Sequence, residues 1–185
     1  IILSMAKKKK PLIIATGASN IKEIDMVVKK LKKNNFYNFA LLQCNTNYTG
    51  SIDNFNYINL NVIKLFQKKY PNITYGLSDH TPGHSTVLGA VTLGARIIEK
   101  HFTDDNTRTG PDHLFSMNPR SWQEMILRSR ELEASMGKQI KIVEKNYPEL
   151  YNQFTKSLGL SAYFNKITPT DLSLIHISEP TRLSG

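Results

Sequence analysis

Residues 73–102 read ITYGLSDHTPGHSTVLGAVTLGARIIEKHF, and this stretch decides the fold. It opens on a short apolar run, 73–77, that leads into Ser78-Asp79-His80. Pro82-Gly83 then starts a small-residue segment through Leu88, Val91 and Leu93, and a second strand, RIIEKHF, closes it at 96–102. Short continuous apolar runs bounded by turn residues are what strands buried on both faces require. A helical stretch between two of them marks a strand-helix-strand unit.

The same alternation extends outward in both directions. Upstream, PLIIA at 11–15 is a strand ending in Thr16-Gly17. A helix follows, with capping-box spacing between Asn20 and Glu23 and one apolar face of Ile21, Ile24, Val27, Val28 and Leu31. FALLQC at 39–44 is the next strand and runs into a polar loop, 45–51. Phe55, Ile58, Val62, Leu65 and Phe66 have helical spacing and stop before Pro71. Downstream, after a loop rich in Thr, Asp, Asn and Gly, Asn118-Pro119 gives an N-cap with proline at the first helical position. Trp122, Met125, Ile126 and Leu132 form that helix's apolar face, and Gly137 terminates it. Four strand-helix units in series imply a parallel α/β sheet with right-handed crossovers, either doubly wound or part of a barrel.

Composition narrows the class. With 185 residues, 40% of them hydrophobic, the chain suits one compact domain and excludes a disordered tail or a disulfide miniprotein. No apolar run approaches the roughly 20 residues of a membrane span, and the opening IILSM is too short for a signal peptide. A single cysteine, Cys44, forms no intramolecular disulfide and fits a reducing, cytoplasmic setting. The net charge of +9 raises the question of nucleic acid, with a run at Lys7 to Lys10 and a cluster at Lys29, Lys30, Lys32 and Lys33. The cluster sits at a helix C-terminus, where cations are favoured, and no aromatics interleave with either group as a stacking platform needs. Neither a nucleic-acid nor a membrane partner is expected.

In both parallel architectures ligands bind at the carboxyl ends of the strands. Those ends carry Thr16, then 45–48, then Ser78 and His80, then Glu99 and His101. Strand alternation puts Gly76, Ser78 and His80 on one face and Ile97, Glu99 and His101 on one face of the next strand, so both histidines can converge inside a barrel. Two neutral imidazoles and a carboxylate there suit a divalent transition metal such as Mn or Zn with positions open to substrate or water. Taken alone, His80 reads equally as a cap for the following helix. His84 and His113 lie in loop segments and carry no assigned role. Asp79 alternates outward and serves to orient a neighbour or cap a helix, and Asp104 and Asp105 face solvent. Lys10 precedes the first strand, which puts it near the amino end.

Five ordered blocks over residues 10 to 137 carry a resemblance. They are Lys10-Pro11 to Ala15-Thr16-Gly17; Gln43-Cys44 to Tyr48; Gly76-Leu-Ser-Asp-His-Thr81; Gly94-Ala to Ile98-Glu-Lys-His-Phe-Thr103; and Gly110-Pro-Asp-His113 with Ser116-Met-Asn-Pro119. Together they are similar to the sialic acid synthase family. That family's fold is a TIM barrel followed by a small antifreeze-like domain, and its members condense phosphoenolpyruvate with N-acetylmannosamine or a related N-acetylated amino sugar. The resemblance implies that His80 and His101 ligate the metal, Mn2+ or Mg2+. It implies that Ser78, Lys10 and Thr16 match phosphoenolpyruvate-binding positions, and that Asp112 and Tyr48 match positions contacting the sugar. Glu99 is the candidate for proton transfer or for positioning the attacking water, with an ion pair to Lys10 as the structural alternative. Thr46 stands where some members carry an asparagine.

Aligned on that pattern, the four strands are the last four of eight, so residues 1–145 read as the C-terminal half of the barrel and the length suits one piece of a larger domain. Residues 146–171 match nothing assignable. The tail 172–185, containing LSLIHISEPTR, reads as a translated sequencing adapter. A homodimer is expected of the full-length protein, whose antifreeze-like domain in the family closes over the partner's site. The competing readings are another metal-dependent, phosphoenolpyruvate-using sugar-acid synthase, against which the SDHT and GPDH blocks weigh, and a catalytically inactive truncated polypeptide with an exposed sheet edge.

Overall fold

The computed structural model describes residues 1–141 and shows a parallel half-barrel. Its strands are β1 (Leu12–Ala15), β2 (Phe39–Cys44), β3 (Thr74–Asp79) and β4 (Ile97–Lys100), paired in that order and all parallel. Its helices are α1 (Ile2–Ala6), α2 (Ile21–Lys33), α3 (Val62–Lys69), α4 (Ser85–Thr92) and α5 (Pro119–Met136), with a 3-10 helix at Ile52–Tyr57. These elements form the compact unit Ile1–Gly137. The readings placed at 145, 146–171 and 172–185 lie outside the described residues.

Local signals explain the helix ends. The Asn20 side chain accepts from the backbone N–H groups of Lys22 and Glu23, and Glu23 accepts from the Asn20 backbone at 2.8 Å. Asn118 and Ser121 repeat the box at α5, and Gly137 ends that helix at φ +53°, a region that favours glycine. Ile24, Val28 and Leu31 of α2 join Ile63 and Phe66 of α3 against Leu41, Tyr75 and Leu77 on the outer face of the sheet. Tyr70 donates to Asp25 at 2.7 Å and Lys69 pairs with the same carboxylate at 3.0 Å, tying α3 to α2. These bonds, the tyrosine's first, hold the Asp25 carboxyl below the usual range.

Register fixes what faces in and what faces out. Cys44 pairs with Ser78 and Ser78 with Glu99 on the inner face, while Asp79 pairs with Lys100 on the outer face. Gly76 permits this spacing, because a Cβ there would collide with the Ile97 carbonyl oxygen and the Leu42 side chain.

Several expectations are corrected. The 55–66 stretch is not one helix: Asn59 at φ +50° interrupts it, and the tighter 3-10 turn before it shifts the phase. Asn54 and Ile58 are therefore buried, while Phe55 and Leu65 are exposed. β1 and β4 are not buried on both faces, since each is an edge strand here; Ile13 is 58% exposed and Glu99 is exposed too. The fourth strand stops at Lys100 because residue 117 folds back to run beside 101–103, with Met117 N–H donating to His101 and Thr103 N–H to Met117. α4 begins at Ser85, after a turn with Gly83 at φ +70°, rather than at Pro82. On α5 only Met125 is fully buried, because the helix packs on α4 and leaves Ile126 exposed.

Behind the sheet, Lys100 Nζ meets Asp79 Oδ2 at 2.6 Å with both side chains almost wholly buried. Thr81 and Thr86 hydroxyls donate to the same carboxylate and the Thr81 carbonyl accepts from Lys100. Removing one partner leaves an uncompensated buried charge. Lys100→Met is expected to cost about 3–5 kcal/mol in urea unfolding of this chain, with a large part recovered when Asp79→Asn is added. A single-variant loss below about 1 kcal/mol would contradict a buried, charged pair.

Candidate functional site

The carboxyl ends of β2, β3 and β4 bring together a cluster of rings. His80 and His101 have centroids 5.0 Å apart in an edge-on arrangement. Tyr48 lies 4.2 Å from His80 and 5.6 Å from His101, and Phe115 closes the far side 5.2 Å from His101. His80 is buried at 4% exposure, whereas His101 and Asp112 remain partly open. The loop that folds back beside β4 delivers Asp112 and Phe115. It is built on Asn106, whose amide donates to the carbonyls of His113 and Ser116 and accepts from Asn118.

Each histidine has an oxygen partner at Nδ1, bonded in His80 and more distant in His101. His80 Nδ1 lies 2.6 Å from the main-chain oxygen of Asn45, and a carbonyl only accepts, so this nitrogen carries the proton. His101 Nδ1 faces Asp112 Oδ2 at 3.5 Å. In His80 Nε2 is left as the nitrogen with a lone pair to offer, the arrangement in which an outer partner fixes the tautomer of a metal-ligating imidazole. Burial pushes His80 below the ordinary imidazole range, with the nearby His101 adding to this and the Asn45 bond opposing it. His80 therefore stays neutral and able to ligate.

Beside the rings, the Ser78 hydroxyl donates to Glu99 Oε1 at 2.9 Å. The alternative ion pair of Glu99 with Lys10 is not formed. Lys10 stands at the amino end of β1, six residues and roughly 20 Å of strand before Thr16, and is exposed. Thr16 is at the correct end, but its hydroxyl donates to the Leu42 carbonyl at 2.8 Å. Cys44 sits in the same row, and burial pushes its thiol up, away from reactivity. Asp79 faces outward as expected, in the ion pair already described. His113 Nδ1 contacts the Thr103 hydroxyl at 2.7 Å within the Asp112 loop. Asn54 and Phe115 escaped the sequence reading, which placed Asn45 at a strand end without giving it a role. Only Asn45 carried a signal, its place at a strand's carboxyl end.

Among the described residues no group of three or more His, Cys, Asp or Glu side chains gathers into a complete cage. The donor set is thus two imidazoles, with Glu99 nearby as an oxygen donor to substrate or water. That set fits a divalent ion with most of its positions open.

The chain has relatives among known proteins. N,N'-diacetyllegionaminic acid synthase of Campylobacter jejuni is 36% identical over 156 residues, 83% of this chain and 46% of that protein. Human N-acetylneuraminate-9-phosphate synthase is 34% identical over 139 residues, 74% of this chain and 37% of that one. The crystal structure of the sialic acid synthetase from Leptospira borgpetersenii, solved with citrate, superposes at a TM-score of 0.69 with 28% identity, covering 84% of this chain and 52% of that one. The chain spans less than half the length of the two relatives. The NeuB family model matches residues 1–141, and the chain belongs to that family.

Proposed function

We propose that this chain supplies the metal-holding half of an active site that condenses phosphoenolpyruvate with an N-acetylated amino sugar, giving a sialic-acid-type nonulosonate and phosphate. What carries the reading is the His80–His101 pair, with His80 bonded at Nδ1 and left with Nε2 to donate and His101 facing the Asp112 carboxylate, set beside a carboxylate tethered by a serine. The named activities of the Campylobacter and human relatives support the same reaction class.

His80 and His101 would hold a divalent ion, Mn2+ or Mg2+, which when bound polarises the oxygen of the sugar aldehyde. The new bond forms between C3 of phosphoenolpyruvate and the aldehyde carbon, water adds at C2, and phosphate leaves. Glu99 has Oε1 tied to Ser78, so Oε2 is the atom free to take a proton from that water or to hold it in place. Asp112 is half exposed and carries two oxygens, enough to keep one on His101 and offer the other to a sugar hydroxyl. Tyr48 and Phe115 wall the imidazoles and leave His101 partly open to substrate. Ser78 and Thr16 spend their hydroxyl hydrogens within the sheet, so a phosphate engaging them would have to displace those bonds. Lys10, at the opposite end of β1, is left out of the phosphate site in this reading.

In the complete protein, His80→Ala and His101→Ala are expected to abolish metal-dependent phosphate release from phosphoenolpyruvate plus an N-acetylmannosamine-type sugar. Full activity in either variant would sink the ligand assignment. Glu99→Gln keeps the shape and the Ser78 contact but not the base. A fall of about 10²- to 10⁴-fold in kcat is expected, with KM changed little, and an unchanged kcat would remove Glu99 from proton transfer.

A further inference from the structure

Asn54 lies in the 3-10 helix Ile52–Tyr57, outside every strand, and is completely buried at 0% exposure. A carboxamide so deep in the protein is costly unless its hydrogen bonds are made. Here they are made to the turn that follows β2. Asn54 Nδ2 donates to the main-chain oxygen of Asn47 at 3.0 Å, and Asn54 Oδ1 accepts from Asn45 Nδ2 at 2.7 Å. Asn45 Oδ1 in turn accepts from the Asn47 backbone N–H. Both amide orientations follow from their main-chain partners: the Asn47 carbonyl needs a donor and the Asn47 N–H needs an acceptor, which leaves Asn45 donating to Asn54. The three bonds close a ring around residues 45–47. Asn45's own carbonyl points out of that ring to His80 Nδ1 at 2.6 Å.

We infer that Asn54 is a positioning residue for His80: by clamping the 45–47 turn it aims the Asn45 carbonyl at Nδ1 and so fixes the imidazole as the Nδ1–H tautomer, with Nε2 unprotonated. Imidazole in water favours the opposite tautomer, so the form seen here needs a partner held rigidly in place. The Asn45 carbonyl is that partner, and without the Asn54 clamp the 45–47 turn keeps only its local Asn45 Oδ1–Asn47 N–H bond to hold it on line. Tyr48 follows the same turn, which places the ring over His80 by the same device. The purpose of this control rests on reading His80 as a metal ligand, but the tautomer is a property of the metal-free chain and can be measured without it.

The experiment uses the whole 185-residue chain with ¹⁵N-labelled histidine, reading from long-range ¹H–¹⁵N correlations which His80 nitrogen bears hydrogen. Wild type is expected to show Nδ1–H. Asn54→Leu keeps the buried volume and removes both bonds. Asn45→Ala changes a half-buried residue and keeps the carbonyl that His80 uses, losing the side-chain half of the ring: the link to Asn54 and the bond from the Asn47 N–H. Both variants are expected to move His80 towards Nε2–H, whereas Ile63→Val, a change in the neighbouring core, is expected to leave it unmoved. Should Asn54→Leu fail to fold, Asn45→Ala decides. Adding Mn2+ to wild type separates the two readings: without broadening of the His80 and His101 signals the ligand assignment fails, while a shifted tautomer in the variants still supports the clamp. A His80 that is Nε2–H in wild type, or that stays wholly Nδ1–H in folded Asn45→Ala, overturns the inference.

Discussion

The ion pair between Asp79 and Lys100 governs the site although it lies on the wrong side of the sheet to touch a ligand. Asp79 precedes His80 and Lys100 precedes His101, so locking the first two together on the outer face sets the separation of the second two on the inner face. Alternation makes the coupling rigid, because a slip of one residue in either strand would send its histidine to the opposite face. The threonines that also bind the Asp79 carboxylate belong to the turn entering α4 and to α4 itself. One carboxylate thereby fastens two strand ends and the start of a helix. Its burial demands full satisfaction, and among the described residues no buried side-chain nitrogen or oxygen lacks a partner.

This division of labour explains why the inner row can carry polar chemistry. Cys44, Ser78 and Glu99 lie side by side across three strands, in a layer that contributes no apolar packing of its own. The stability the row withholds comes from outside, where Leu41, Tyr75 and Leu77 meet α2 and α3. A fully buried Phe or Leu side chain is worth about 1.5–3 kcal/mol. Phe66, Leu31 and Leu77, all at 0% exposure, therefore outweigh the single hydrogen bond, worth about 1 kcal/mol, that holds Glu99 to Ser78.

Much of this was legible in the residues, and what was not has physical causes. FALLQC at 39–44 became a strand with those same bounds because a short run of apolar residues broken only by Gln43 is too short for a helix and buries on both faces. The Asn20 and Asn118 caps were readable because their partners lie three residues away in sequence. The pairing of His80 with His101 followed from alternation alone. Asn54 did not follow from anything of the kind. Its burial comes from a 3-10 turn, whose period of three shifts the buried face off the 3.6-residue stripe and puts an asparagine where Phe55 was expected. Edge exposure was equally hidden, since Leu-Ile-Ile-Ala reads the same in an edge strand as in a central one.

The two histidines differ in one respect that bears on how such a site would work. His80 answers to a main-chain carbonyl, which has no side-chain rotamers and sits in a half-buried turn clamped by Asn54. His101 answers to Asp112, a half-exposed carboxylate on the loop that folds back beside β4, at a distance of 3.5 Å, long for a hydrogen bond. A carboxylate partner adds negative charge to the ring it touches and strengthens it as a ligand, whereas a carbonyl fixes orientation without adding net charge. His80 is thus the fixed point of the pair and His101 the adjustable one. Asp112 can tighten on His101, or turn towards a sugar hydroxyl, by a rotation of its own side chain, and neither movement disturbs the buried bonds that hold β3 to β4.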